Sequence, residues 1–165
     1  MKIKDQQIRF VNVVKELRDT VNAAEKNKVL RNHLLENGVP ALKTYIKDTL
    51  KLKFNAWQAR VLEINDNSQN PAAAEVKFGM ALDPADQSDK SGYKSIVLSS
   101  AAKQTNEGVL KIIKQLKAGD QVKINGEFIE KKGFIDIDSY SRYKFSKNVF
   151  DNPELKTKIT AVEKL

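Results

Sequence analysis

Within Asn106–Asp138, NEGVLKIIKQLKAGDQVKINGEFIEKKGFIDID, the spacing of apolar residues switches from helical to extended, and this switch restricts the chain more than any other feature. Val109, Ile112, Ile113 and Leu116 form one stripe at helical period. Thr105 and Asn106 are helix-capping residue types, Glu107 suits the positive end of the helix dipole, and Lys114 and Lys117 suit the negative end. Gly119 predicts a left-handed stop, so a helix is expected over 106–117. From there the period is two. Val122, Ile124, Gly126 and Phe128 alternate with Gln121, Lys123, Asn125 and Glu127, which predicts a strand with one buried face. Glu130 to Gly133 is a polar turn, and Phe134, Ile135 and Ile137 lead into another strand, so a hairpin is expected. Gly126 inside the first of these strands marks a bulge or a tight bend.

Upstream, residues 3–36 read as one helix. Ile3, Phe10, Leu17 and Ala24 recur every seven residues, Val14 and Val21 add a second line, and the seam fades at Lys28. Asn37-Gly38 is a helix stop, and a shorter helix is expected from about Pro40, through Leu42, Tyr45 and Ile46. The apolar seam needs a cover: the following domain, a second helix, or another subunit. Phe10 and Leu17 are therefore the candidate surface for a protein partner or for self-association.

Leu50, Leu52 and Phe54 open a long strand that reaches Ile64, and a slip of phase at Val61-Leu62 predicts a bulge. Asn65 to Pro71 is a turn segment. A second strand is expected over 74–82, a polar loop over 83–92 and a third strand over 93–99. After Asp151-Asn152-Pro153, Leu155, Thr157, Ile159 and Ala161 alternate in a C-terminal strand that closes or extends the sheet. The chain thus divides into a helical arm, 1–49, and a barrel with a C-terminal strand, 50–165.

Three strands, a helix and two strands, the first long and bulged, is the order of the OB-fold, a five-stranded Greek-key barrel. The expected class is α+β. The closed or nearly closed barrel is expected over about 50–140, with the 106–117 helix capping one end. The strand NAWQARVLEI holding Trp57, the turn NDNSQN, and above all the run from Leu116 to Phe128 resemble bacterial OB-fold proteins of the tRNA-anticodon-like type. Several members of that group carry an N-terminal helical region and have no assigned activity. Asn152-Pro153-Glu154 before the last strand is similar to the group's ending, and the resemblance covers about residues 41–165. It implies turns at Gly119 and Gly126 and barrel filling by Val122 and Phe128, and it implies no catalytic residue.

Composition narrows the chemistry. There is no cysteine and one histidine, His33, in a helical stretch without a neighbouring partner, so a zinc site and thiolate catalysis are not expected. Asp136 and Asp138 face one side of a strand, the place of a solvent-exposed hairpin edge more often than of an acid–base pair. Neither a phosphate loop nor a nucleophile elbow is present. No enzyme activity, cofactor or metal is expected. No apolar run approaches the roughly 18 residues of a membrane span. The first ten residues lack the apolar core of a secretory signal. That leaves the compartment open: cytoplasmic for a chain that starts here, exported for one whose leader was removed.

The net charge of +8 is uneven. Residues 1–54 carry 12 Lys and Arg against 6 Asp and Glu, and the remainder 17 against 15. A basic arm suits nucleic acid or an acidic surface. OB-folds hold single strands on aromatic and basic residues of their second and third strands and the bordering loops. The corresponding candidates are Arg60, Lys77, Tyr93, Lys94, Lys131, Lys132, Arg142 and Tyr143. Trp57 suits core or rim packing better than a base platform. The sequence therefore supports a non-enzymatic binding module, with a protein partner on the arm or single-stranded nucleic acid on the barrel as alternative ligands.

Overall fold

The computed structural model describes residues 4–24, 26–65, 74–83, 95–102, 105–131, 134–135, 137–138 and 148–165. Its elements are α1 (Asp5–Ala23), α2 (Lys28–Thr44) continuing into a π turn (Tyr45–Thr49), β1 (Lys53–Asn65), β2 (Glu75–Ala81), β3 (Ser95–Ala101), α3 (Glu107–Ile113), β4 (Gln121–Phe128), β5 (Glu130–Lys131), β6 (Phe134–Ile135), β7 (Ile137–Asp138), a 3-10 turn (Val149–Asp151) and β8 (Glu154–Lys164). β1 pairs antiparallel with β2, β2 with β3, β4 with β1 and β8 with β4, while β8 runs parallel to β3. The ring β1–β2–β3–β8–β4 is a closed five-stranded barrel of OB-like form, with helices before it and a helix between its third and fourth strands.

The C-terminal strand closes the ring, as one of its two expected roles, while the segment after β4 differs from the expectation: among the described residues, neither Phe134–Ile135 nor Ile137–Asp138 pairs with β4. Phe134–Ile135 pairs with Glu130–Lys131 in a separate two-stranded ribbon, and Ile137–Asp138 pairs with the start of β8. The C-terminal strand takes the fifth place, so the barrel extends to Lys164 instead of ending near residue 140. β8 has eleven residues against the eight of β4, and its Leu155, Thr157 and Ile159 alternate inward, so it can pair along the whole of β4.

Two bulges shape β1. The register against β2 shifts between Val61 and Glu63, where the phase slip predicted it, and the register against β4 shifts between Phe54 and Trp57. At the second bulge Ala56 has φ 55°, and its N–H donates to Asn125 Oδ1 at 2.6 Å. Gly126 lies at a register shift between β4 and β8, and a Cβ there would sit 2.5 Å from Phe54 Cζ and 2.7 Å from the Lys158 carbonyl oxygen. Close approach of backbone and ring therefore requires this glycine. β1 starts at Lys53, later than the apolar pattern suggests, because Lys51 and Leu52 take positive φ in the turn that precedes it.

The single helix expected over 3–36 is two helices. The break falls where the heptad seam fades, and Asn27 caps the second helix by accepting from the Leu30 N–H at 3.0 Å. Gly38 does not stop α2. It is buried under Phe150, whose Cζ would lie 2.9 Å from an added Cβ, and the helix continues through Pro40 to Thr44. Helix α3 ends at Ile113, and the chain past it turns at Gly119 (φ 97°). There the Gly119 N–H donates to the Val61 carbonyl and the Val61 N–H to the Asp120 carbonyl, both at 2.8 Å.

The barrel has an upper end, where β1, β3 and β8 begin, and a lower end, where they finish. The upper end is sealed by α1. Phe10 is wholly buried, stacks on Trp57 at a centroid distance of 5.2 Å and meets Phe128 edge-on at 5.9 Å. Gln7 is buried beside it: its amide nitrogen donates to the Gln58 carbonyl (2.7 Å) and its amide oxygen accepts from the Gln58 N–H (2.8 Å). Asn148 ties the 3-10 turn to α1 through the Arg18 carbonyl and the Asn22 side chain. The arm's apolar seam is thus covered by the chain's own barrel and by α2.

Because helices and barrel share one core, unfolding followed by Trp57 fluorescence and by far-UV circular dichroism is expected to give coincident transitions. Phe10→Ala is expected to destabilise the whole chain by about 3–5 kcal/mol. A helical transition that precedes the barrel transition, or an unchanged denaturant midpoint in the variant, would show the arm and the barrel to be separate units.

Candidate functional site

The concave feature at the lower end is a cleft of about 790 Å³ between α3 and the adjoining ends of β1, β2 and β3. α3 packs chiefly on β8, and among the described residues the cleft lies between it and the ends of β1 and β2. Ile64, Val76, Leu110, Ile113 and Leu116 supply apolar wall. Val76, Ile113 and Leu116 are buried core residues that also face the cleft, whereas Ile64 and Leu110 are half-buried.

The polar groups of the cleft fall into two sets. Ser100 and Thr105 are engaged with the fold. Their hydroxyls lie 3.4 Å apart, Thr105 also donates to the Ala101 carbonyl at 3.0 Å, and Ser100 Oγ accepts from the Ile159 N–H at 3.3 Å. Asn65, Glu75, Lys114 and Lys117 belong to segments at the strand and helix ends, and Asn65, Lys114 and Lys117 are exposed. The Glu75 carboxylate lies 3.7 Å from Lys77 Nζ. In the sequence Lys114 and Lys117 suit the helix dipole; with Leu110 they also form a second line beside the core-facing stripe, which is the signal for the cleft.

Of the nucleic-acid candidates, Arg60 and Lys77 have described side chains, and both lie on the outer surface of the barrel. Arg60 faces Gln121, with Nε and Nη2 each 3.1 Å from the amide oxygen when that amide is oriented to accept. Lys77 lies 2.9 Å from Glu154, which raises the lysine pKa by hydrogen bonding to it. Lys156 approaches Glu154 from the other side at 3.3 Å. Two lysines and two acids therefore share this patch, and its charges offset one another. Beside them Ser99, on β3 opposite Lys77, has a buried hydroxyl with no hydrogen-bond partner among the described residues. The backbone of Lys131 lies in β5. Its side chain, and Tyr93, Lys94, Lys132, Arg142 and Tyr143, lie outside the described residues, as does Asp136 of the carboxylate pair.

Phe10 and Leu17 do not form an open surface. Phe10 is enclosed by aromatic rings, and Leu17 is half-buried against the core and near Gly38 of α2. Trp57 is fully buried, and its indole N–H donates to Gln6 at 3.2 Å. His33 is exposed, with Nε2 3.0 Å from Asn37 Nδ2. Among the described residues no group of three or more His, Cys, Asp or Glu could hold a metal ion, and no helix is long and apolar enough to cross a membrane.

At the upper rim, Asp83 accepts from Arg18 Nη1 at 2.8 Å and lies 2.9 Å from Lys15 Nζ. The Arg18 guanidinium, then the Lys15 ammonium, holds its carboxyl down to about 2. Burial pushes the Asp151 carboxyl the other way, upward, beside the 3-10 turn.

No family model matches the sequence, and no curated protein or solved structure matches it.

Asp83 titrates below the ordinary aspartate value of about 3.9, so its contribution to stability is present above that pH and is lost as pH falls toward about 2. The stability difference between the natural chain and Asp83→Asn is expected to be constant from pH 7 to about 5 and to shrink between pH 4 and 2. A difference independent of pH over that range would remove the ion pairs as its cause. Ser99→Ala is expected to leave the denaturant midpoint unchanged or raise it, since an unpaired buried hydroxyl costs about 1–3 kcal/mol. A lower midpoint would reveal a hydrogen bond at Ser99.

Proposed function

We propose that this protein is a non-catalytic OB-like binding module that receives an apolar ligand in the cleft beside α3. The observation that carries the reading is an open cavity of about 790 Å³ whose inner hydroxyls are already paired within the fold. Small-molecule sites have about 300–1,000 Å³, mostly apolar walls and a few polar groups at fixed places. A cleft with satisfied inner hydroxyls and walls of Ile64, Val76 and Leu110 offers burial to a hydrocarbon or aromatic group at no loss of hydrogen bonds. The resemblance to bacterial OB-fold proteins of the anticodon-like type adds the expectation of a binding role without chemistry. The carboxylate beside the cleft, Glu75, is close to Lys77 and has no histidine near it in the lining, which suits binding better than proton transfer.

The alternative, single-stranded nucleic acid on the outer face, draws on Arg60 and Lys77 among the described side chains. Both are engaged by neighbours, which weakens their use as phosphate contacts. A partner surface on α1 has less support, because Phe10 contributes to the chain's own core.

The test is titration with N-phenyl-1-naphthylamine, a neutral apolar fluorophore. Saturable binding of one molecule per chain is expected. Leu110→Gln should weaken it about tenfold, or ~1.4 kcal/mol, while the unfolding midpoint stays nearly constant because Leu110 is half-exposed. Binding that does not saturate, or that is indifferent to Leu110→Gln, would remove the cleft as the site. Salt-dependent binding of mixed-sequence single-stranded DNA, reduced by Lys77→Gln, would favour the nucleic-acid reading instead.

A further inference from the structure

The charges around the cleft are not balanced in the way those of the outer face are. Among the described residues, Glu75 lines it and Asp120 lies beside it, and each is held by a lysine that does not line it. Glu75 is 3.7 Å from Lys77, and Asp120 is 3.7 Å from Lys164 while its carboxylate also accepts from the Lys117 N–H at 2.9 Å. Lys114 and Lys117 do line the cleft, are exposed, and have no ion-pair partner among the described residues. They stand on the same segment as Leu110, Ile113 and Leu116, so positive charge and apolar wall are offered to one occupant.

We propose that the ligand of this cleft is an apolar organic anion, with its hydrocarbon against Ile64, Val76 and Leu110 and its carboxylate or sulfate on Lys114 and Lys117. This rests on the cleft being the ligand site. The inner hydroxyls, being paired with each other and with backbone, make no demand for a polar group at the buried end. The lysines at the outer end supply the attraction an anionic headgroup needs to leave water at the protein surface. The two lysines also lie near the C-terminal end of α3, where the helix dipole favours a cation. That role and ligand binding are compatible, and they differ in what removal of the charge would change: the dipole role affects folding, and the binding role affects the choice between anion and neutral ligand.

The experiment compares octanoate with 1-octanol, of equal carbon number, by titration calorimetry at low ionic strength. Octanoate is expected to bind about tenfold more tightly, and added salt should narrow the gap. In the Lys114→Gln/Lys117→Gln double variant the preference should vanish while octanol affinity stays unchanged, which also shows the variant to be folded. The Lys114→Arg/Lys117→Arg variant should keep the preference. Equal affinity for octanoate and octanol in the natural chain would overturn anion recognition and leave the cleft as an apolar site. A preference that survives in the glutamine variant would overturn the assignment to these two lysines. Failure of both compounds to bind would overturn this inference together with the cleft reading.

Discussion

The fold depends on one side-chain amide. β1 is longer than the pairing that β2 gives it: the register between them ends at Arg60 and Gly79, so the Gln58 backbone has no strand on that side. A carboxamide carries one acceptor and a donor in nearly the geometry of a peptide unit. Gln7 presents both to Gln58 and so continues the sheet from a helix. Two half-buried backbone groups of Gln58 are satisfied in this way. The same bond fixes α1 over the barrel, three residues before Phe10 meets Trp57. The helix is therefore part of the barrel's hydrogen-bond accounting as well as of its core. A heptad seam that looks made for another helix is used against a sheet.

The sequence shows periods well and partners poorly. The strand β4, the glycine turn at 119, the bulge at Val61 and the tight approach at Gly126 were legible, since each is a local change of period or a residue whose missing Cβ has one use. The C-terminal strand was legible as one that closes or extends the sheet, and it closes it. Which segment lies beside β4 was not, because Phe134 to Ile137 and Leu155 to Ala161 both alternate, and alternation says that a face is buried without saying against which neighbour. Adjacency in sequence favoured the first as partner for β4, and the second is the actual one. Gly38 shows the same limit. As a stop signal it is ordinary, but here the absent side chain makes room for Phe150, more than a hundred residues away.

The candidate site was less legible still. Lysines on strands and loops look alike in sequence whether they face solvent or an acid, and only the fold brings Glu154 to Lys77 across the parallel pair of β3 and β8. The pairing that completes the barrel is also the one that sets Glu154 among the lysines of this patch. The cleft had a faint trace, the line of Leu110, Lys114 and Lys117. That line reads as helix punctuation unless one knows that the cleft lies beside the helix. Gln7 and Asp83 left no trace, because a polar residue in an amphipathic helix or a loop carries no mark of the backbone or ion pair it will meet.

The two ends of the barrel differ in how they are covered. The upper end is covered by helices of 19 and 17 residues and a 3-10 turn, with Gln7 tying α1 to β1, Asn148 tying the turn to α1, and the Asp83 ion pairs at the rim. The lower end is covered by α3, which has seven residues and so spans about 10 Å at 1.5 Å per residue. It packs chiefly on β8, and among the described residues the cleft lies between it and the ends of β1 and β2. On the proposed reading, a ligand entering there would meet walls that are already fixed, Val76 by its strands, Ile113 and Leu116 by burial in the core. Binding would then order few side chains, chiefly Leu110 and the two lysines, so its entropic cost would be small.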